Sequence, residues 1–407
     1  MIPTFVKTTI MNAIYHLILI ILIGSFSVSA QQWEEKTSNT TEALLDVYFV
    51  DASTGFAVGN SGTIIKSIDG GETWTARVSG TNEDLESVSF IDASTGFTVG
   101  TNVMLKTVDD GSTWSSVVLP LSVHWMDVEF IDATTGFCVG YSGTILKTSD
   151  GGVTWSEKNS DCTRFLAKIQ FPTANVGYAT SRGYNSNFIK TIDGGETWFN
   201  DTIDAALIYG SFESVYFTSE NSGIIGSWYL AGLVKTDDGG NSWSDVSGGI
   251  APDLYSIDFA DTQTGFAVGI NGLIMTTIDG GDSWTSIELT SGMSLNAIEA
   301  ITPTVAVAVG YNGYIVKNNQ ATNSLNDPLM DAQVNVYPNP FHDQLTIQLP
   351  DGTQSAQVTL TTMTGEIIVE ESVISQGQLS ALNGLSSGTY LLHIQVGERA
   401  VTRLVVK

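Results

Sequence analysis

The sequence predicts an all-β protein: a seven-bladed β-propeller whose N-terminal strand closes the last blade, followed by a small C-terminal antiparallel β-sandwich. Three observations predict this architecture. A segment of 40–45 residues recurs along most of the 407-residue chain. Each copy contains short apolar runs separated by Gly and Asp, and helical periodicity is nowhere sustained. Finally, the first strand after the leader matches the strand that the last copy lacks.

The first thirty residues are typical of a secretory leader. Lys7 precedes an apolar run at residues 17–23, and a stretch of small residues ends at Ala30. This order predicts a signal peptide over residues 1–30. The run is shorter than the ~18 residues that a membrane-spanning helix needs. We therefore expect an exported protein, secreted or held at the outer cell surface, that does not span the membrane.

The repeat defines a propeller over residues 31–325. Consecutive copies end on a Trp and follow one another at steps of 40, 41, 43, 45 and 41 residues. In the first copy, apolar runs at residues 45–50, 55–59, 63–68 and 73–78 predict the four strands of a blade. The seventh unit has three such runs and no fourth. Trp33 lies 16 residues before Phe49, as Trp74 does before Phe90, so the N-terminal strand is expected to complete the ring.

A motif of the form Ser/Thr-x-Asp-x-Gly-x-Thr/Ser-Trp occurs six times. A carboxylate in each copy could serve catalysis or metal binding, but one copy per blade favours a scaffold role. A short Asp side chain accepts N–H bonds within its own turn, and the Trp ring fills space between blades. The motif resembles the Asp box of the bacterial neuraminidase repeat, a structural hairpin. Its aspartates are Asp69, Asp109, Asp150, Asp193, Asp238 and Asp279.

The repeat as a whole, with the core D-A-S-T-G-F-A-V-G at residues 51–59, resembles the propeller of photosystem II stability/assembly factors over about residues 33–317. The resemblance implies the fold, and no functional residue is carried over from it. Residues 326–407 are expected to form a linker and a sandwich, with strands at 344–349, 356–361, 366–371 and 390–396. They resemble the type A C-terminal sorting domain of type IX secretion, in V-Y-P-N-P at 336–340 and L-V-V-K at 404–407. This resemblance implies the type IX secretion machinery as a partner.

Composition narrows the remaining partners. Acidic residues outnumber basic ones by 43 to 16, and the net charge of −27 repels nucleic acid. The histidines are scattered and show no metal-ligand spacing, so we expect no metal and no cofactor. Export would allow a disulfide between Cys138 and Cys162, while a small buried strand residue explains Cys138 equally well.

Insertions in the repeat predict a candidate ligand site. The copies are longer at residues 181–187, at 205–212 and near 228–229, on loops that should share one face at the junction of the fourth and fifth blades. Side chains there are suited to stacking on sugars or gripping a peptide, although loops that merely tolerate insertion could also carry them. The candidate ligand-binding residues are Arg182, Tyr184, Tyr209, Trp228 and Tyr229.

The leading functional hypothesis is a non-catalytic binding or adhesion propeller for an unknown glycan or protein ligand. The first alternative is a glycoside hydrolase of sialidase type, because Asp boxes occur in that class. A sialidase needs an arginine triad, and the propeller contains Arg77, Arg164 and Arg182 without an Arg-Ile-Pro motif near its start. The second alternative is an assembly or chaperone factor like the photosystem II assembly propellers.

Overall fold

The computed structural model describes residues 33–183, 188–201, 210–228, 232–249, 253–319, 334–349, 353, 355–362, 367–373, 376–379, 382, 385–386, 388–396 and 399–407. These residues fall into two compact units, Trp33–Asn319 and a C-terminal unit. The predicted signal peptide lies outside the described residues and stays a prediction, as do the domain limits at residues 325 and 326.

The described part of Trp33–Asn319 forms seven four-stranded antiparallel sheets. Blade 1 comprises β2 (Leu44–Phe49), β3 (Gly55–Gly59), β4 (Thr63–Ser67) and β5 (Thr75–Arg77). Blade 2 comprises β6 (Leu85–Phe90), β7 (Gly96–Gly100), β8 (Val103–Thr107) and β9 (Ser115–Ser116). Blade 3 comprises β10 (Trp125–Phe130), β11 (Gly136–Gly140), β12 (Ile145–Thr148) and β13 (Ser156–Lys158). Blade 4 comprises β14 (Phe165–Gln170), β15 (Gly177–Arg182), β16 (Phe188–Thr191) and β17 (Phe199–Asp201).

Blade 5 comprises β18 (Ser211–Phe217), β19 (Gly223–Trp228), β20 (Leu233–Thr236) and β21 (Ser244–Asp245). Blade 6 comprises β22 (Leu254–Phe259), β23 (Gly265–Gly269), β24 (Leu273–Thr277) and β25 (Thr285–Glu288). Blade 7 comprises β26 (Leu295–Thr302), β27 (Val305–Gly310), β28 (Ile315–Asn319) and the N-terminal strand β1 (Trp33–Lys36). Short 3₁₀ turns join the second and third strands at Asn60–Gly62, Tyr141–Gly143, Ile270–Gly272 and Tyr311–Gly313.

The N-terminal strand closes the last blade, as the spacing of Trp33 predicts. β1 pairs antiparallel with β28, with Trp33 opposite Asn318. Hydrogen bonds between neighbouring first strands then complete the ring. Val88 N donates to Asp46 Oδ2 between blades 1 and 2 at 2.9 Å, and Phe49 N donates to Glu299 Oε1 between blades 7 and 1 at 3.3 Å. The propeller fold is therefore confirmed, with the first strands around an axial channel.

Each first strand carries a β-bulge near its start, and the residue before the bulge is always a large buried apolar one. A bulge re-aims one side chain and disturbs the pairing only locally. The bulge residues themselves differ between blades: Leu45, Glu86, Met126, Ala167, Glu213, Tyr255 and Asn296.

The six Asp boxes are structural hairpins. In blade 4, Asp193 Oδ1 accepts from Thr197 N at 2.9 Å, and Asp193 Oδ2 accepts from Thr197 Oγ1 at 2.6 Å. These hydrogen bonds lower the pKa of Asp193 to about 2. Trp198 packs edge-on against Phe137 of blade 3 and Phe171 of blade 4, which is the inter-blade position that the sequence predicts. The same carboxylate contacts recur at Asp69, Asp109, Asp150, Asp238 and Asp279.

A lysine on the third strand of a blade contacts the Asp-box loop of the next blade. Lys147 Nζ donates to Gly194 O at 2.7 Å and pairs with Glu196 at 2.7 Å. Six lysines make such a contact: Lys66, Lys106, Lys147, Lys190, Lys235 and Lys317. Blade 6 has Thr276 at this position, and blade 7 has no Asp box for a lysine to reach. The lysine and the box that it contacts are thus absent together.

The two cysteines are free and buried, so the disulfide left open by the sequence is not formed. Cys138 packs among Phe97, Trp125 and Leu146, whereas Cys162 packs in a different core cluster with Phe137 and Leu166. Each behaves as a small apolar residue in its own blade contact.

The C-terminal unit contains a three-stranded and a four-stranded antiparallel sheet among its described residues. The first has β29 (Asn335–Tyr337), β30 (Leu345–Gln348) and β33 (Gln376–Leu379). The second has β31 (Ala356–Thr362), β32 (Ile367–Val373), β34 (Thr389–Val396) and β35 (Arg399–Val406). One core cluster includes Leu345 and Leu379 from the first sheet and Leu360 and Leu392 from the second. The sequence predicts four of these strands to within two residues, and gives no separate strand at β29, β33 or β35.

Candidate functional site

The bulge residues of all seven blades line one cavity at an end of the axial channel. Its volume is about 560 Å³, within the ~300–1,000 Å³ typical of small-ligand pockets. The rest of the described wall comes from Lys168 within β14, from strand ends, and from turns that connect second to third strands or neighbouring blades. These residues are Phe165, Lys168, Arg182, Gly183, Gly210, Ser211, Trp228 and Tyr311.

Aromatic rings form much of the cavity rim. Phe165 is 43% exposed and stacks on Tyr141 with ring centroids 4.0 Å apart. Tyr141 in turn stacks on His124 at 4.7 Å, so the three nearly parallel rings form one row. Trp228 and Tyr311 are 43% and 49% exposed. Rings that keep about half of their surface in contact with water offer stacking area without repacking the core.

Polar groups in the wall are held in place by their neighbours. Arg182 Nε lies 2.5 Å from Glu213 Oε2, and Ser211 Oγ donates to Glu213 Oε1 at 2.7 Å. Gly183 N donates to the same Ser211 hydroxyl at 3.1 Å, which ties the end of β15 to the start of β18. Across the cavity, Glu86 Oε1 lies 2.8 Å from His124 Nε2. The wall therefore presents pre-oriented carboxylates between exposed rings.

Lys168 forms part of the floor and separates this cavity from a smaller one of about 170 Å³ along the channel. Lys168 Nζ lies 3.1 Å from Asp127 Oδ1 and 3.7 Å from Asp46 Oδ1. Burial alone would lower the pKa of Lys168, but the Asp127 and Asp46 carboxylates outweigh it and raise that pKa. Lys168 is thus a fixed cation between two carboxylates.

Three more carboxyl groups line the smaller cavity. Burial raises the pKa of Glu129 to about 8 and that of Asp258 to about 7. Burial and the neighbouring Asp258 raise the pKa of Glu299 well above its ordinary value. Each group accepts a backbone N–H from the next blade: Phe171 at 3.2 Å, Ala300 at 2.7 Å and Phe49 at 3.3 Å. The channel is therefore strongly acidic in composition, and its groups also join blades.

The structure brings two of the predicted site residues together. Arg182 and Trp228 end the second strands of blades 4 and 5, and both line the large cavity. Tyr184, Tyr209 and Tyr229 lie outside the described residues, so their placement stays a prediction. Sequence reasoning missed Glu86, Phe165, Glu213, Tyr255 and Tyr311, which sit in elements of unchanged length. An alignment of the seven first strands would have marked three of them, since the bulge position varies between blades while the preceding one is always large and apolar.

Among the described residues, no group of three or more His, Cys, Asp or Glu side chains is arranged to hold a metal ion. No helix in that part of the chain has the length and apolar character needed to cross a membrane.

Comparison with protein families confirms both resemblances. The family described as "Photosynthesis system II assembly factor YCF48" matches residues 26–123 and 112–165. The family described as "Secretion system C-terminal sorting domain" matches residues 335–407. A tail of this family marks the chain as cargo of type IX secretion, for export to the cell surface or the medium. None of the curated proteins matches the chain significantly.

Solved structures share the propeller fold. "YCF48 bound to D1 peptide" is 20% identical with a TM-score of 0.61, covering 70% of this chain and 96% of that one. The GH74 enzyme of Niastella koreensis is 11% identical with a TM-score of 0.58, covering 92% of this chain and 67% of that one. PorZ of Porphyromonas gingivalis, described as a surface component of the type-IX secretion system, is 12% identical with a TM-score of 0.56, covering 91% and 60%. At these identities the likeness extends to the fold alone.

Proposed function

We propose that this chain, a YCF48-like propeller with a type IX sorting tail, acts after export as a non-catalytic binding module at the cell surface or in the medium. The observation that carries the proposal is the cavity lined by the bulge residues of all seven blades. Its rim brings several exposed rings together around one concavity, and grouped exposed apolar surface marks interaction sites on soluble proteins. Function on a propeller resides in such a site and not in the repeated framework.

Two features support binding over turnover. Glu213 is engaged by Arg182 and Ser211, and Glu86 Oε1 by His124 Nε2, so each wall carboxylate near the rings already has a polar partner. A hydrolase needs a carboxyl group poised at the scissile bond. Among the solved relatives, one YCF48 structure contains a bound peptide, a precedent for ligand capture by this fold. The GH74 enzyme, also a neighbour in fold, keeps a hydrolase as the alternative.

The test is a glycan and peptide array probed with the purified protein, beside a hydrolysis assay on the same panel. Phe165→Ala should abolish capture of the array ligand, because it removes the ring at the rim. Phe199→Ala is the matched control: it removes a 54% exposed ring from the outer strand of the same blade. Equal loss in both variants, or no loss in Phe165→Ala, would place binding elsewhere. Turnover without stable capture would favour the hydrolase.

A further inference from the structure

The charges around the large cavity are unevenly compensated. Its two described cations are both matched by carboxylates: Arg182 by Glu213, and Lys168 by Asp127 and Asp46. Glu86 adds a further carboxylate to the wall, with His124 as its neighbour. The lining and its immediate partners therefore carry more carboxylates than Lys and Arg side chains.

The described lining of the channel beneath the floor adds no basic side chain to this balance other than Lys168. Glu129, Asp258 and Glu299 follow Lys168 along the channel, in a setting walled by protein. The raised pKa values of these three carboxyl groups keep them largely or partly protonated near neutral pH, so the negative charge at the cavity comes from the carboxylates around its wall and floor. The net charge of −27 acts in the same direction at long range.

The rings at the rim suit the same kind of ligand. Phe165 and Tyr311 expose 43% and 49% of their surface, and Tyr255 also lines the cavity. Aromatic faces attract cations through the ring quadrupole. Arg and Lys side chains combine a charged head with an apolar stem that packs along such rings. Neutral sugars could use the rings but not the negative potential, and acidic sugars would be repelled by it.

The geometry points to a basic peptide segment as the occupant of the cavity. An arginine or lysine side chain of a partner protein inserts between Phe165 and Tyr311, with its head directed toward Glu86. This inference rests on the proposed function and narrows it to one class of ligand. It excludes the anionic sugars on which a sialidase would act.

Fluorescence anisotropy with short labelled peptides tests the charge requirement on the full purified chain. Four peptides share the frame Gly-Ser-X-Ser-Gly, capped at both ends, with arginine, lysine, citrulline or glutamate at X. The arginine and lysine peptides should bind. The citrulline peptide should bind at least about ten-fold more weakly than the arginine peptide, and the glutamate peptide should not bind. Affinity should fall as NaCl rises from about 50 to about 500 mM.

Two charge-neutralising variants locate the effect. Glu86→Gln should weaken the arginine peptide by about ten-fold, because it removes the carboxylate that faces the ligand's charge. Glu288→Gln makes the same change on an exposed outer strand and should leave affinity unchanged. Circular dichroism checks that both variants retain the fold.

The outcomes separate this inference from the proposed function. If a citrulline peptide or a neutral oligosaccharide binds as tightly as the arginine peptide, and Phe165→Ala abolishes it, the cavity is a binding site but the cationic assignment is wrong. If Glu86→Gln and Glu288→Gln behave alike, the assignment is also wrong. If neither the peptides nor the arrays yield a ligand sensitive to Phe165→Ala, the proposed function itself fails.

Discussion

The Asp-box hairpins and the cavity at the channel mouth are built from the same repeat, yet they differ in how much their residues vary from blade to blade. In the hairpins the Asp, Gly and Trp positions recur in six blades, and each carboxylate makes the same contacts. At the cavity, one bulge position per blade carries six residue types in seven copies. Residues that hold the ring together are constrained by geometry common to all blades, whereas the bulge residues line the cavity and need not match one another.

The largest loss of stability is expected from substituting the glycine of an Asp-box hairpin. Gly195 has a φ of +78°, and a Cβ placed there would lie 2.3 Å from Phe137 Cε1 of the preceding blade. We expect Gly195→Val to lower the free energy of unfolding by about 4 kcal/mol, through backbone strain and overpacking together.

Gly80→Val is the matched control for that change. Gly80 has a φ of +80° but nothing within 4 Å of a Cβ, so only the backbone strain of about 1–2 kcal/mol should remain. Chemical denaturation followed by fluorescence measures both variants. Equal losses would mean that contact between blades does not explain the recurring glycine.

The channel groups predict a dependence of stability on pH. The pKa of Glu129 is about 8 in the folded chain against an ordinary 4.5, so the folded state binds the proton more tightly. Its contribution to stability is complete below about pH 4.5 and is lost as pH rises toward 8.

Glu129→Gln should flatten the decline between those pH values, by about 4 kcal/mol at pH 8. The equivalent residue of blade 4, Gln170, shows how an amide fits: it accepts from Phe217 N at 3.1 Å and donates to Phe217 O at 3.3 Å. Denaturation curves at a series of pH values measure the effect. A decline as steep in the variant as in the parent would exclude Glu129 as its source, and Glu288→Gln should reproduce the parent.

The lysine contacts between blades have a smaller expected effect. Lys147→Met removes a hydrogen bond to Gly194 O and an ion pair, while keeping an apolar stem beside Phe137. We expect a loss of about 1 kcal/mol. Lys158→Met removes only an ion pair to the same Glu196, so its loss should stay below about 0.5 kcal/mol. Thermal unfolding distinguishes them, and a larger loss for Lys158→Met would contradict the role of the carbonyl contact.

The sequence predicts the hairpin side of the molecule well, because what it needs is local and recurs. A Gly at positive φ and an Asp within its own turn are readable from a single copy, and the period supplies the blades. Closure by β1 is also readable, since Trp33 keeps the spacing of its sister residues. Strand ends shift by one or two residues, as in Thr75–Arg77 against the predicted 73–78.

The cavity is less readable, because its members come together only through ring closure. Arg182 and Trp228 are marked by inserted residues in their loops. Phe165 and Glu86 carry no such mark. Glu86 reaches the cavity through the β-bulge of its strand, and Phe165 reaches it as part of a stacked row of rings. Tyr311 is also remote from the inserted loops along the chain, and it lines the cavity because blade 7 completes the ring.

The smallest expected effect on stability is at Tyr311, where a loss of ligand affinity is expected without a loss of stability. Tyr311 is 49% exposed, so Tyr311→Ala should change the free energy of unfolding by less than about 0.5 kcal/mol. The same change removes one of the rings proposed to flank the ligand, so affinity for the arginine peptide should fall by about ten-fold. Phe199→Ala removes a ring of similar exposure from an outer strand and should alter neither quantity. If Tyr311→Ala instead destabilises the propeller as a hairpin variant does, the bulge end of the channel is scaffold as well, and variation between blades is no guide to where a ligand binds.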